Sequence, residues 1–179
     1  VARYSSRKIT TYFNQGDTAA TRTEKGEALQ NLICYIFGRV PGVSVIGDHE
    51  LSAFNDEEID VLIWNRRDAR GFYFLPCIFL VECKNWSNAV GSRGVVTFKS
   101  TLRSRGCDHG ILVAANGISG NSEPPTEAYH EIAMALSEML HILVITREDI
   151  EALRDTNGLV ELFQKRLCGL TRKGTAVLD

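Results

Sequence analysis

The sequence predicts one mixed α/β domain, a central sheet flanked by helices. Apolar residues recur at helical spacing between positions 29 and 37. Strand-like segments with short connections then run from 43 to 84. After them, apolar strands alternate with segments of helical length, the pattern of parallel crossovers. The 179 residues suffice for one core, and no repeat, low-complexity tract or linker divides them. Residues 21–179 are expected to form that domain, and residues 1–20, polar and without sustained periodicity, an extension or loosely docked arm.

Thr21 followed by Glu24 is a capping box, and Leu29, Leu32, Ile33, Ile36 and Phe37 form the apolar stripe of the helix it opens. Gly38, Pro41 and Gly42 end it. Val43 to Glu50 alternates as a strand, AFNDE (53–57) reads as a turn, and EIDVLIW (58–64) is a second strand. NRRDARG is a hairpin connection. In the next apolar run Pro76 defers the buried strand to Cys77 onward. Val90 to Arg105 has helical length, with Val95, Val96, Phe98 and Leu102 inward. Gly110 to Asn116 is a strand covered on both faces, and GISGNSEPP a flexible loop. Ala128, Ile132, Ala135, Leu136 and Met139 mark another helix face. His141 to Thr146 is the last strand, Thr146 and Asp149 cap a short helix, and a final helix spans about Gly158 to Leu167. The first three strands should form an antiparallel meander, and the later ones should pair in parallel.

Composition narrows the functional classes. A net charge of −2 gives no global basic footprint for nucleic acid. The local clusters Arg66, Arg67 and Arg70; Lys99, Arg103 and Arg105; and Lys165, Arg166, Arg172 and Lys173 read as solvated faces. Five cysteines without CxxC spacing argue against a disulfide framework or a thiolate metal site and fit a reducing cytoplasm. No apolar stretch reaches membrane-spanning length, and VARYSSRK does not resemble a secretory signal. No Walker loop, dinucleotide fingerprint or GxSxG occurs. Cys107 and His109 show no third group to orient a thiol–imidazole pair, and Trp86 reads as packing or capping its strand.

FLVECKNW (79–86) carries the chemistry. Strand alternation puts Ile78, Leu80, Glu82 and Lys84 on one face and Phe79, Val81 and Cys83 on the other. A carboxylate and an ammonium at the end of a core strand must pair, reach solvent or bind a charged group. Taken alone the triplet is an ordinary salt bridge. Asp60, interrupting the preceding apolar strand, adds a second carboxylate toward the same end of the sheet, although register alone does not force the two together. Converging carboxylates repel unless a cation lies between them. Oxygen donors with open water positions suit Mg²⁺, with Mn²⁺ a substitute. The backbone carbonyl of Cys83 can add a ligand. Lys84 can orient a water and offset charge on a phosphoryl group, so the set suits water attack on a phosphodiester.

EID ending at Asp60 and VECKNW carrying Glu82 and Lys84, on consecutive strands, resemble the PD-(D/E)XK nuclease superfamily and, within it, the Mrr-like restriction endonuclease branch. The likeness covers roughly residues 25–120, including GILVAANGISG. It implies a restriction-endonuclease-like αβββαβ core, nucleic-acid cleavage and a divalent metal. Carried over, Asp60 and Glu82 bind Mg²⁺ and Lys84 assists the water. Ile59 stands where the superfamily's name has proline. Many Mrr-like proteins carry an acid in the first helix; here Gly26, Leu29 and Gln30 match that pattern with an amide at the acid position, and Gln30 can hydrogen-bond a metal-bound water. Glu27 reads as solvated. Lys99 and Arg103, four apart on one helix, are candidate phosphate contacts.

The expectation is thus a metal-dependent DNA endonuclease, plausibly in bacterial restriction or phage defence, cytoplasmic and not membrane-bound. A homodimer would explain double-strand cutting, and a partner chain or fused domain would supply targeting. The alternatives are a non-catalytic nucleic-acid-binding or assembly module on the same fold, and an enzyme acting on another phosphate ester.

Overall fold

The computed structural model describes residues 1–51 and 58–178, with the backbone alone for 47–51 and 58. The expected turn at 53–57 lies outside the described residues.

The polar N-terminal stretch folds as a helix, α1 (Ser6–Asp17), instead of an arm. The Ser5 side chain caps it by accepting from the Lys8 amide. Ile9 and Phe13, one turn apart, bury their side chains together with Tyr4, whose hydroxyl donates to the Ile36 carbonyl. Two apolar residues at i, i+4 are too few to announce a helix by periodicity, yet they suffice to dock one. The helix packs on α2 (Arg22–Phe37). That helix starts at the predicted capping box: Thr21 Oγ1 accepts from the Glu24 amide at 3.2 Å, and the Glu24 carboxylate accepts from the Thr21 amide at 3.0 Å.

A five-stranded sheet follows, ordered β1-β2-β3-β4-β5. Strands β1 (Val43–Leu51), β2 (Glu58–Asn65) and β3 (Ile78–Lys84) form the expected antiparallel meander. Strands β4 (His109–Ala114) and β5 (His141–Ile145) extend it in parallel. The β2–β3 connection is more than a hairpin turn, because Phe72 and Leu75 fold back into the core. Asn65 organises it: fully buried, its amide nitrogen donates to the carbonyls of Phe72, Leu75 and Pro76 at 2.7, 3.2 and 3.1 Å.

Helices cover both faces. On one, Phe37 of α2, Phe79 of β3, Phe72 and Phe163 of α6 (Thr156–Lys173) form an aromatic cluster, with Phe72 and Phe163 stacked at 5.0 Å. Burying each of these rings stabilises the fold by roughly 2–3 kcal/mol. On the other face lie α3 (Ser92–Ser104) and α4 (Glu127–Ser137). Gly110 lets α3 approach β4 closely, since a Cβ there would lie 2.5 Å from the Phe98 ring. The short α5 (Arg147–Ala152) begins at the predicted Thr146–Asp149 capping box.

Four expected inward positions differ. Cys77 and Ile78 are exposed, because Ile78 pairs with the exposed Trp64 at a part of the sheet that α3 does not cover. Val96 is exposed on α3, and Met139, at 73% exposure, lies past the end of α4 in a left-handed conformation (φ 65°). The final helix is longer than expected, running from an Asp155 cap to Gly174.

Candidate active site

The β2–β3 register sets the site. Val61 pairs with Val81 and the ladder ends there, so continuing the register carries Asp60 toward Glu82. Beyond that point the strands are bridged by a side chain: Asp60 Oδ2 accepts from the Cys83 amide at 2.6 Å. A carboxylate held by a backbone N–H keeps its orientation without any ligand. The N–H and C=O of a strand residue face the same side, so the Cys83 carbonyl is also turned toward Asp60. Lys84 is locked into the other ladder, its carbonyl accepting from the Ala115 amide at 3.0 Å.

Glu82 and Lys84 share a face, as alternation requires, and form an ion pair. Their side chains are 12% and 21% exposed, within reach of water but shielded from it. Burial alone pushes the Lys84 ammonium toward its neutral form. The Glu82 carboxylate, aided by Asp60, more than offsets this and raises its pKa above the ordinary lysine value. Burial pushes the Cys83 thiol well above its usual range, with Asp60 and Glu82 adding to the effect. Strand alternation turns the Cys83 side chain to the face opposite Glu82 and Lys84, so Cys83 offers the site its main-chain groups.

Gln30 is buried on α2, and its Nε2 donates to the Asp60 carbonyl. The amide at the first-helix position therefore buttresses β2 at its most important residue. Gln30 and the exposed Glu27 line one lobe of a cleft, of about 540 Å³, against Asp60 and Cys83. A second lobe of about 440 Å³, which shares Arg22 with the first, adds Lys84, Trp86 and Lys25. Sequence reasoning missed Arg22 and Lys25. The signal was present: Arg22, Gly26 and Gln30 follow one another at i, i+4 and so share a helix face. Trp86, expected to pack, is 46% exposed, with Lys84 Nζ 5.6 Å from its ring centroid.

Lys99 and Arg103 are engaged elsewhere. Lys99 is buried and pairs with Glu131 at 3.8 Å and Glu138 at 3.6 Å, and Arg103 also pairs with Glu138. Both therefore join α3 to the C-terminal end of α4.

The donor set fits a small hard cation: two carboxylates and a main-chain carbonyl beside a water-accessible cleft, with room for waters. Among the described residues no group of three or more His, Cys, Asp or Glu side chains gathers as a ready-made metal cage. No helix among them is long and apolar enough to cross a membrane.

A mixed five-stranded sheet flanked by helices, with Asp60, Glu82 and Lys84 where β2 and β3 part, is consistent with a restriction-endonuclease-like fold. Residues 24–152, well over half of the chain, match the family model described as restriction endonuclease, the Mrr catalytic domain. The chain belongs to that family. Searches of curated proteins and of solved structures gave no match.

Proposed function

We propose that this chain is a divalent-metal-dependent DNA endonuclease that hydrolyses phosphodiester bonds at the β2–β3 site. The observation that carries the reading is the bond from the Cys83 amide to Asp60 at a cleft that Lys84 also lines, with Lys84 paired to Glu82. Asp60, Glu82 and the Cys83 carbonyl would hold Mg²⁺, with Mn²⁺ a substitute. When bound, the cation supplies Lewis-acid charge to the phosphoryl oxygens. Lys84 holds the attacking water with its ammonium and offsets charge on the phosphorane-like transition state. Water adds to phosphorus, a P–O ester bond breaks, and the departing oxygen gains a proton. Gln30 supports the site by holding the Asp60 main chain.

Family membership supports a role in bacterial restriction or phage defence, and cysteines that form no disulfide support a cytoplasmic setting. Cutting both strands with one site per chain calls for a homodimer, and targeting for a partner chain or fused domain. A second reading, a non-catalytic nucleic-acid-binding or assembly module, draws on the Glu82–Lys84 pair, which satisfies both charges by itself.

The test is plasmid cleavage by wild type and Lys84→Ala, each with Mg²⁺ and with EDTA. Metal-dependent nicking or linearisation that falls at least about a hundredfold in Lys84→Ala is expected. Intact plasmid with wild type across salt conditions sinks the nuclease reading, and equal cutting by Lys84→Ala removes the role of Lys84.

A further inference from the structure

The 440 Å³ lobe beyond Lys84 has features that hydrolysis at Asp60 and Glu82 does not require. Arg22 and Lys25 stand on its α2 wall, one turn apart. Neither side chain has an ion-pair partner among the described residues, whereas Lys84, Lys99, Arg103, Arg147 and Arg166 are all paired. Gly26, next to Lys25 and one turn beyond Arg22, leaves the wall open, since a Cβ there would meet nothing within 4 Å. With Lys84 already paired to Glu82, Arg22 and Lys25 are two unpaired cations against one lining carboxylate, Asp60, a balance that favours an anion.

The opposite wall is aromatic. The Trp86 ring rests against Gly94, where a Cβ would lie 3.4 Å from the ring. Its backbone carbonyl accepts from Asn116 Nδ2, and Trp86, which lines the lobe, is nearly half exposed. An exposed indole and two unpaired cations lining one lobe are the combination that single-strand binders use: charge for the phosphate, a flat ring for the base. The volume falls in the range of small-ligand pockets and accommodates one nucleotide.

We propose that this lobe is a subsite for one unstacked nucleotide next to the scissile phosphate. Arg22 and Lys25 hold its flanking phosphate, and Trp86 takes the face of its base. This deepens, and rests on, the nuclease reading of the adjoining site. A base offers its face only when unpaired, frayed or extruded, so the preferred substrate is DNA with an unpaired nucleotide beside the cut.

The chain has two tryptophans, Trp64 and Trp86, so Trp64→Phe leaves Trp86 as the sole indole emitter. Titrating that protein with hexathymidylate in EDTA should quench its fluorescence saturably, while an abasic hexamer of the same charge should bind without quenching. Adding Arg22→Ala and Lys25→Ala should weaken binding roughly tenfold or more and lower the salt slope by about 0.7 per lost cation. Trp86→Leu, followed by anisotropy of a labelled oligonucleotide, should weaken hexathymidylate roughly tenfold and spare the abasic hexamer. No quenching, or unchanged affinity and salt slope in the double variant, overturns the subsite even if plasmid is cut. Quenching and salt effects as stated in a protein that cuts no plasmid uphold the subsite and overturn the nuclease reading instead.

Discussion

Replacing Asn65 by alanine should destabilise the protein by about 3 kcal/mol. The side chain is fully buried, and its amide group serves three carbonyls of the β2–β3 connection while Oδ1 accepts from the Arg67 amide at 3.1 Å. Two amide hydrogens cannot fully satisfy three carbonyls, so truncation removes about three effective bonds, each worth roughly 1 kcal/mol net. In a chain of this length that lowers the melting temperature by about 6–12 °C. Urea denaturation followed by circular dichroism measures the loss directly. Asn65→Asp makes the comparison sharper: it keeps the shape but cannot donate, and at neutral pH it turns a charge toward those carbonyls. It should be less stable than Asn65→Ala. A loss below about 1 kcal/mol for alanine, or wild-type stability for aspartate, refutes the account of this residue as the organiser of the connection.

Three further outcomes are expected. Gln30→Glu removes the donor to the Asp60 carbonyl and adds a carboxylate near Asp60; its melting temperature should fall in EDTA and recover in millimolar Mg²⁺, and a fall that Mg²⁺ leaves unchanged argues against a cation at this site. Lys99→Gln should lower thermal stability by leaving Glu131 and Glu138 without their buried partner, yet leave the salt slope of DNA binding unchanged; a reduced slope would return Lys99 to the phosphate contacts. His141 stacks on His109 at 4.4 Å, and burial, then the neighbouring imidazole, lowers its pKa below 6.5. A base held neutral in the fold contributes stability above its unfolded pKa that is lost as pH falls through 6.5 toward the folded value. His141→Phe should therefore lose less stability than wild type between pH 7.5 and 5.5, and an equal loss in both proteins contradicts this.

The elements with local signals were legible in the sequence. Thr21 with Glu24 and Thr146 with Asp149 each announce a helix start through residues three apart, and the strands announced themselves by apolar runs. Asp60, Glu82 and Lys84 could be singled out as candidates because strand alternation puts two of them on one face and the third lies in the adjacent strand. What stayed hidden depends on partners distant in sequence. Nothing near Lys99 says that Glu131 and Glu138 will bury it. Nothing near Ile9 and Phe13 says that α2 will cover them. Arg22 and Lys25 look like any solvated helix cations until β3 ends beside them. The bond from the Cys83 amide to Asp60 is a tertiary detail that a residue pattern does not encode.

The spatial order of the five strands repeats their order along the chain. Each strand pairs with the next along the chain, so few distant segments must meet before the sheet can grow, which favours rapid folding. Asp60, Glu82 and Lys84 belong to the early part of that sequence. On a growing polypeptide the carboxylates and the lysine can come together before α6 and its Phe163 have been synthesised. Phe163 can stack on Phe72 only once α6 has been made, so the aromatic cluster over Phe72 and Phe79 is completed last.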